Sequence, residues 1–318
     1  MAHRLRLLGA FAAIYLIWGS TFLAIHVAVE TMPPFLMAAT RFVCAGAIVY
    51  AIGRWTGAPS PSRRDWTYTT AAGGLMFLGG NGGLAWASQF VPSGLAALIM
   101  TLIPVWMTLL EWLWRGGARP HRIVLLGLAL GFGGVALLIG PGALRGSGEV
   151  NLLAALAVVA SSLLWSVGSI YARSNRLASP AILVIGMQML GGGLLLLVVS
   201  GLLGEFGHVR LTAVAPVAWL GLAHLIVMGA VVGHSAYFWL LKEVNPALVA
   251  TYAFVNPIVA VWLGWSLAGE AVTGQTLVAS AIIISAVALI TLYSRRGQRR
   301  PVAVEGRPVV KGVQRESA

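Results

Sequence analysis

Two stretches of this sequence, LIWGSTFLAIH at residues 16–26 and LLWSVGSIYAR at residues 163–173, follow one pattern. In each, a tryptophan precedes small residues that include glycine and serine, and an aromatic and then a basic residue follow. Both stretches lie in apolar surroundings, where polar side chains are uncommon. A pattern this specific that recurs about halfway along the chain predicts an internal repeat.

The repeat extends over most of the chain when the sequence is compared with itself. An offset of 147 residues pairs Trp18 with Trp165 and Gly46 with Gly193. An offset of 153 residues then continues the match with four further pairs: Gly80 and Gly233, Trp86 and Trp239, Pro104 and Pro257, Trp112 and Trp265. The sequence therefore predicts two structurally equivalent halves.

The composition is that of a membrane protein. Of the 318 residues, 58% are hydrophobic and 9% are charged, and the mean hydropathy is +0.87. An α-helix needs roughly 20 apolar residues to cross the ~30 Å of hydrocarbon in a bilayer. Ten segments of about this length are present, and we number them as spans 1 to 10: residues 8–28, 34–53, 67–89, 94–114, 122–140, 151–171, 181–203, 216–241, 246–268 and 273–293.

Five of these spans fall in each half of the repeat. Because five is an odd number, the second half must enter the membrane from the opposite side, as in the inverted repeats of many transporters. We therefore predict an all-α integral membrane protein with ten transmembrane helices, arranged as two inverted five-helix repeats around a central cavity. The predicted units are residues 8–140, residues 151–293 and a basic cytoplasmic tail at residues 294–318.

The net charge of +12 reflects membrane topology rather than nucleic-acid binding. If the N-terminus is cytoplasmic, 18 of the 21 lysines and arginines fall in cytoplasmic loops and termini, as the positive-inside rule requires. Both termini are therefore predicted to be cytoplasmic, with the basic tail against anionic lipid. The apolar run that starts like a signal peptide continues to about residue 28, so we predict an uncleaved first helix.

Three longer stretches resemble a known family of membrane proteins. They are YLIWGSTFLAIHVAVETMPPFLMAATRF at residues 15–42, FVPSGLAALIMTLIPVW at residues 90–106 and NPALVATYAFVNPIVAVWLGWSLAGE at residues 245–270. The chain resembles the drug/metabolite transporter superfamily, specifically its ten-helix exporters with two EamA-type repeats. The resemblance implies an inner-membrane exporter of metabolites, amino acids or drugs, with spans 5 and 10 at the periphery. The first half departs from the pattern, since WRGG stands where the second half has LAGE.

One face of span 1 is a candidate wall of the substrate site. Tyr15 and Trp18 lie on the same face of a helix, and the repeat places Trp165 at the position that corresponds to Trp18. A tryptophan near the middle of the membrane lies away from the interfacial belts where this residue is usual. We predict that Trp18 and Trp165 line opposing sides of one cavity, while helix packing is the alternative interpretation.

Arg41 is a charged residue that lies seven residues into span 2. A charge at this depth needs a partner or a water-filled cavity. Two interpretations remain open: a structural arginine that binds backbone carbonyls, and a binding site for a substrate carboxylate.

Four further polar residues near mid-span complete the predicted binding set. Asn81 and His234 occupy equivalent glycine-rich places in spans 3 and 8, and Tyr252 and Asn256 lie in span 9. Polar residues at such depths usually face the interior of the bundle. In spans 4 and 9, Pro104 and Pro257 each remove a helix hydrogen bond, so we predict two kinks that act as hinges.

The sequence lacks the features of an enzyme or a cofactor-binding protein. It contains no paired-acid or His-x-x-x-His metal motif, and the GGNGG run of span 3 lies inside a membrane helix rather than after a strand. A channel and a lipid-linked sugar flippase remain open as alternatives to a secondary transporter. The expected partners are a small solute and membrane lipids but no nucleic acid, and the GLALG stripe at residues 127–131 leaves open a homodimer through spans 5 and 10. Aromatic side chains with few charges favour an amphiphilic, zwitterionic or cationic solute.

Overall fold

The structure is a computed structural model that describes residues 2–114, 116, 119–144, 151–174, 177–244, 249 and 251–298. These residues form helices and connecting turns and include no strand. The α-helices are Ala2–Val29, Pro34–Trp55, Arg63–Gly73, Gly83–Ala87, Ser93–Met100, Ile103–Leu113, Arg122–Leu144, Leu152–Ser174, Ala181–Leu202, Glu205–His208, Pro216–His224, Gly233–Glu243, Tyr252–Ala268 and Gly274–Gln298. The predicted tail beyond residue 298 lies outside the described residues.

Most of the predicted spans are helices long and apolar enough to cross a membrane. Seven helical stretches of the described residues meet this criterion, and they correspond to spans 1, 2 and 4 to 8. Spans 9 and 10 correspond to the shorter apolar helices Tyr252–Ala268 and Gly274–Ile290. The all-helical membrane architecture agrees with the sequence, whereas the count of ten crossings stays a prediction.

Spans 3 and 8 are each built around a π-helical segment. Gly74–Gly82 is π-helical in span 3, and Leu225–Val232 is π-helical in span 8. The offset of 153 residues places these two segments at overlapping positions of the repeat. Such segments add a residue to a helical turn and are frequent at functional sites. Spans 3 and 8 are therefore candidates to contribute to a functional site.

The two predicted hinge prolines have different surroundings. Span 4 is interrupted between Met100 and Ile103, and Pro104 lies in the first turn of the helix that follows. Proline tolerates this position because the first residues of a helix have no intrahelical partner for their N–H groups. Pro257, in contrast, lies inside the continuous helix Tyr252–Ala268. Their action as hinges stays a prediction.

Spans 2 and 7 cross at two glycines that are equivalent in the repeat. A Cβ atom added to Gly46 would lie 2.7 Å from the backbone nitrogen of Leu190, and one added to Gly193 would lie 2.8 Å from that of Val43. The offset of 147 residues converts the first contact into the second. The crossing is therefore reciprocal, and both helix backbones touch there.

Reciprocal packing also relates the other spans. Span 1 packs against spans 8 and 9, and span 6 packs against spans 3 and 4. Spans 5 and 10 pack against each other, with Gly127 facing Ile290 and Gly134 facing Ile283. The small-residue stripe of span 5 is thus occupied within one chain. A homodimer would have to use the outer faces of these two spans, and it stays a prediction.

Acidic side chains from one half cap helices of the other half. The Glu270 carboxylate accepts hydrogen bonds from the N–H groups of Ser93 (2.6 Å) and Gly94 (3.0 Å). The Glu205 carboxylate accepts them from Phe35 (3.3 Å) and Leu36 (2.8 Å). A helix N-terminus has unpaired N–H groups and a positive dipole end, so a carboxylate there is favourable. The acid of the LAGE stretch therefore has a structural contact, and in the sequence of the first half its repeat position is a glycine, Gly117.

Asp65 joins the start of span 3 to the start of span 7. Its carboxylate accepts hydrogen bonds from the Ser62 N–H (3.1 Å) and from the Ser179 hydroxyl (2.9 Å), and Ser62 completes a capping box. Burial disfavours the charged form, but these hydrogen bonds and the charge of Arg64 outweigh it and hold the pKa of Asp65 below its ordinary value. The carboxylate is therefore charged at neutral pH.

Candidate functional site

Three aromatic rings from spans 8 and 9 surround the ring of Trp18 in span 1. We call these four residues, Trp18, His234, Tyr237 and Tyr252, the aromatic cluster. The Trp18 ring lies 4.9 Å from that of Tyr252, 5.4 Å from that of Tyr237 and 5.5 Å from that of His234, between ring centroids. Such distances are typical of favourable aromatic pairs. Because span 1 belongs to the first half and spans 8 and 9 to the second, the cluster lies where the halves meet.

A glycine in the π-helical segment of span 8 lies next to the aromatic cluster. The indole N–H of Trp18 donates a hydrogen bond to the Gly229 carbonyl (3.0 Å). A Cβ added to Gly229 would lie 3.1 Å from Cγ2 of Thr21 and 3.7 Å from Nη2 of Arg41. Gly229 is therefore the point where spans 1, 2 and 8 approach one another, and it brings Arg41 close to Trp18.

Other polar side chains of the site are already hydrogen bonded within the protein. The Tyr15 and Thr251 hydroxyls lie 2.5 Å apart, which joins span 1 to span 9. Asn256, with its amide nitrogen turned toward span 1, donates to the carbonyls of Tyr15 (3.2 Å) and Tyr252 (3.1 Å). Tyr15 and Asn256 thus hold the two spans together beside the aromatic cluster.

Span 1 makes a second polar contact with span 8. The Ser20 hydroxyl lies 2.8 Å from Nε2 of His224 and also donates to the Ile17 carbonyl (2.8 Å). Ser20 therefore faces span 8, as Trp18 does. Gly19 contacts span 9 as well, since an added Cβ would lie 2.6 Å from Cβ of Val259.

Trp165 and Asn81 occupy the equivalent place in the other half. The ring of Trp165 packs edge to face on Phe77 at 5.8 Å, and a Cβ added to Gly80 would lie 3.1 Å from Cε3 of Trp165. Gly233, the repeat partner of Gly80, contacts Trp18 in the same manner. No ring contact of the described residues joins Trp165 to Trp18. Asn81 donates a long hydrogen bond to the Met76 carbonyl of its own helix (3.5 Å).

The two equivalent places differ strongly in chemistry. At the repeat positions of His224, Tyr237 and Tyr252, the first half has only apolar residues, and Gln188 stands at the repeat position of Arg41. The apolar replacements are Ala71, Leu84 and Ile99. The place around Trp165 therefore lacks the tyrosines and the buried cation that lie around Trp18.

The structure adds three residues to the predicted set: Tyr237, Gly229 and His224. Tyr237 follows His234 by three residues, a spacing that puts both on one helix face, so the sequence contained a signal for it. Gly229 and His224 have no such signal, because their place depends on the π-helical segment of span 8.

A separate apolar groove of about 470 Å³ lies between spans 9 and 10 and has Pro257 in its wall. It shares no residue with the aromatic cluster. Its Trp262 and Trp265 side chains are exposed, as expected for residues that face lipid. We therefore assign the candidate site to the aromatic cluster and its neighbours rather than to this groove. Among the residues that the structure describes, no group of His, Cys, Asp or Glu could hold a metal ion.

The comparisons with known proteins agree on one family. The EamA-like transporter family matches the chain twice, over residues 7–140 and 152–292. The uncharacterised inner membrane transporter YedA of Escherichia coli K12 is 33% identical over 315 residues, which cover 98% of each chain. A probable amino-acid metabolite efflux pump of Salmonella typhimurium is 26% identical, over 92% of this chain and 96% of the pump. A crystal structure with 24% identity shares the fold, with a TM-score of 0.61 over 92% of this chain and 99% of that one.

Proposed function

Because this chain belongs to the EamA-like transporter family, we propose that it exports small solutes across the cell membrane by alternating access. The chain is a multi-pass membrane transporter of a family that contains inner-membrane transporters and efflux pumps, not enzymes. The proposed substrate class is small metabolites, amino acids or drug-like solutes. The efflux pump of Salmonella, whose name refers to amino-acid metabolites, supports this range and the outward direction.

The observation that carries the proposal is the meeting of the aromatic cluster and Arg41 between the two halves. Transporters of this architecture bind their substrate near the bilayer midplane, where the repeats meet. Trp18 and Arg41 come from the first half, and His234, Tyr237 and Tyr252 come from the second. A solute bound here would contact both halves, so a movement of one half against the other would change its exposure. In this proposal Trp165 and Asn81 form the second wall.

Inverted repeats are the second part of the proposal. The reciprocal contacts of Gly46 with Leu190 and of Gly193 with Val43 support them, because a two-fold axis between spans 2 and 7 would produce this pair. The predicted topology puts the end of span 1 and the start of span 8 on the external face. These two ends contact each other, because the N–H of Ala215 donates a hydrogen bond to the Thr31 hydroxyl. Pro104 and Pro257 are then the proposed hinges of the two moving halves.

Both termini are proposed to be cytoplasmic, from the distribution of basic residues. Reporter domains fused after Gly57 and Arg176 should then be active on the cytoplasmic side, and those fused after Glu30 and Gly207 on the external side. An alkaline phosphatase and green fluorescent protein pair at each site measures this directly. Cytoplasmic and external readings that do not alternate in this way would contradict the inverted-repeat topology.

Transport by the purified protein in liposomes tests the function itself. A panel of amino acids, organic acids and dyes should include solutes whose flux saturates with concentration and is accelerated by the same solute on the opposite side. Saturation and acceleration follow from a carrier whose site faces one side at a time. Liposomes without protein serve as the control. Flux that rises linearly with concentration, without acceleration, would indicate a channel and would contradict the proposal.

A further inference from the structure

The guanidinium of Arg41 is buried in span 2 without a carboxylate beside it. The residue is 8% exposed, and its Nε has no hydrogen-bond partner. Its Cζ lies 4.7 Å from the ring centre of Phe42, which is its neighbour in sequence. The ion pairs of the described residues are His3 with Glu243, His26 with Glu30 and Arg173 with Glu111, so none of them involves Arg41.

These contacts argue against a purely structural arginine. An arginine that holds helix ends or loops together does so through its five N–H donors, yet the buried Nε of Arg41 has no hydrogen-bond partner. A buried charge without a partner is strongly unfavourable, and a charge within a membrane span is costly. The phenylalanine ring compensates only a small part of this cost. The missing partner is therefore an anion that the protein itself does not supply.

The place of Arg41 indicates where this anion binds. Nη2 of Arg41 lies near Gly229, whose carbonyl accepts the hydrogen bond from Trp18. Gly229 therefore lies next to both the guanidinium of Arg41 and the indole of Trp18. A molecule with its anionic group at Arg41 would have the Trp18 ring, and the Tyr237 and Tyr252 rings packed on it, as its neighbours across Gly229.

We propose that the transported solute is an organic anion with one carboxylate, which binds the guanidinium of Arg41 while its apolar part packs on the aromatic cluster. This inference rests on the proposed transport function. A carboxylate accepts two parallel hydrogen bonds from a guanidinium, and such charge-assisted pairs are among the strong ones. The same positive charge repels cations, which removes simple cations from the solutes that aromatic rings alone would favour. Gln188 stands at the repeat position of Arg41, so there is one such anion site rather than two.

Sets of matched probes test the charge requirement. Phenylacetate, hydrocinnamate, indole-3-acetate and hexanoate are each compared with the corresponding neutral amide and with an amine of equal length. Saturation binding to the purified protein in nanodiscs, in sulfate buffer without chloride, should show at least about tenfold tighter binding of one or more acids than of the matched amide and amine. The inference is overturned if no acid of the panel binds more tightly than its amide. It is equally overturned if neutral solutes bind only when chloride is added, because the anion is then chloride.

Variants of Arg41 connect this selectivity to the guanidinium. Arg41→Gln should remove the preference for the acid, and Arg41→Lys should retain part of it because the charge remains without the paired geometry. The control is Arg54→Gln, which removes an exposed arginine at the end of the same helix, and it should leave the preference unchanged. If Arg41→Gln does not fold, the test rests on the ratio of acid to amide affinity in the wild type and on the partly retained preference of Arg41→Lys. An acid preference that persists in a folded Arg41→Gln variant refutes the assignment.

The failure of this inference differs from the failure of the proposed function. If the liposomes show saturable flux but carry amides as well as acids, the protein is a transporter without the anion requirement. If acids bind through Arg41 but no solute shows saturable flux, the anion site exists and the transport proposal is wrong.

Discussion

Gly46→Leu is expected to prevent the protein from reaching its folded state, which would be the largest effect of any single change considered. At this position an added Cβ would lie 2.7 Å from the backbone nitrogen of Leu190. A side chain can rotate away from a clash, but a helix backbone cannot. Overpacking of a core typically costs about 1–3 kcal/mol, and separation of two helix backbones adds the loss of their close packing. We expect no monodisperse protein in size-exclusion chromatography of a fluorescent fusion.

Gly133→Leu is the matched control for this prediction. It introduces the same side chain into a membrane span at a glycine whose added Cβ would have no neighbour within 4 Å. This variant should be produced and eluted like the wild type. If Gly46→Leu behaves like Gly133→Leu, spans 2 and 7 do not touch as described, and the reciprocal crossing is wrong.

Trp18→Ala is expected to reduce solute transport by at least about tenfold in protein that still folds. The substitution removes three ring contacts and the hydrogen bond to the Gly229 carbonyl. Each aromatic pair is worth about 0.5–1.5 kcal/mol beyond burial, and the hydrogen bond about as much. The thermal midpoint should therefore fall as well, so initial transport rates are compared per folded molecule. Trp18→Phe should recover most of the loss, since it keeps a ring in the cluster.

Two other tryptophans provide the comparison for Trp18. Trp55 is 88% exposed at the end of span 2, so Trp55→Ala should leave transport unchanged. Trp165→Ala should weaken solute binding less than Trp18→Ala does, because Leu84 and Ile99 replace the two tyrosines at its repeat position. If Trp18→Ala and Trp55→Ala transport equally well, the aromatic cluster is not the substrate site.

The sequence predicted the helical membrane architecture and the internal repeat because both depend on patterns that are visible within the sequence. Apolar runs of sufficient length define the spans, and the pair Gly46 and Gly193 was recognisable from the repeat before its contact was known. The substrate site itself was predicted only in part. Trp18 and Arg41 were recognisable as unusual residues at their depth, but their neighbours come from spans about 190 to 230 residues further along the chain.

The features that sequence analysis missed depend on the backbone path or on distant contacts. The π-helical segment that places Gly229 beside Arg41 has no signature in the sequence, since LIVMGAVV at residues 225–232 contains a single glycine. The caps made by Glu205 and Glu270 join positions more than 150 residues apart, and a single sequence shows no pairing of this kind. The sequence also suggested equivalent walls at Trp18 and Trp165, whereas their surroundings differ.

Distances measured across the two faces of the membrane test alternating access most directly. Replacement of Cys44, the single cysteine, by serine allows pairs of spin labels to be introduced. One pair, at Glu30 and Val217, reports on the predicted external face, and the other, at Leu113 and Ser174, reports on the predicted cytoplasmic face. All four positions are exposed, and each pair joins the two halves. When a transported solute is added in nanodiscs, the two distances should change in opposite directions. Distances that increase together, or that stay constant while the solute is transported, would contradict the account.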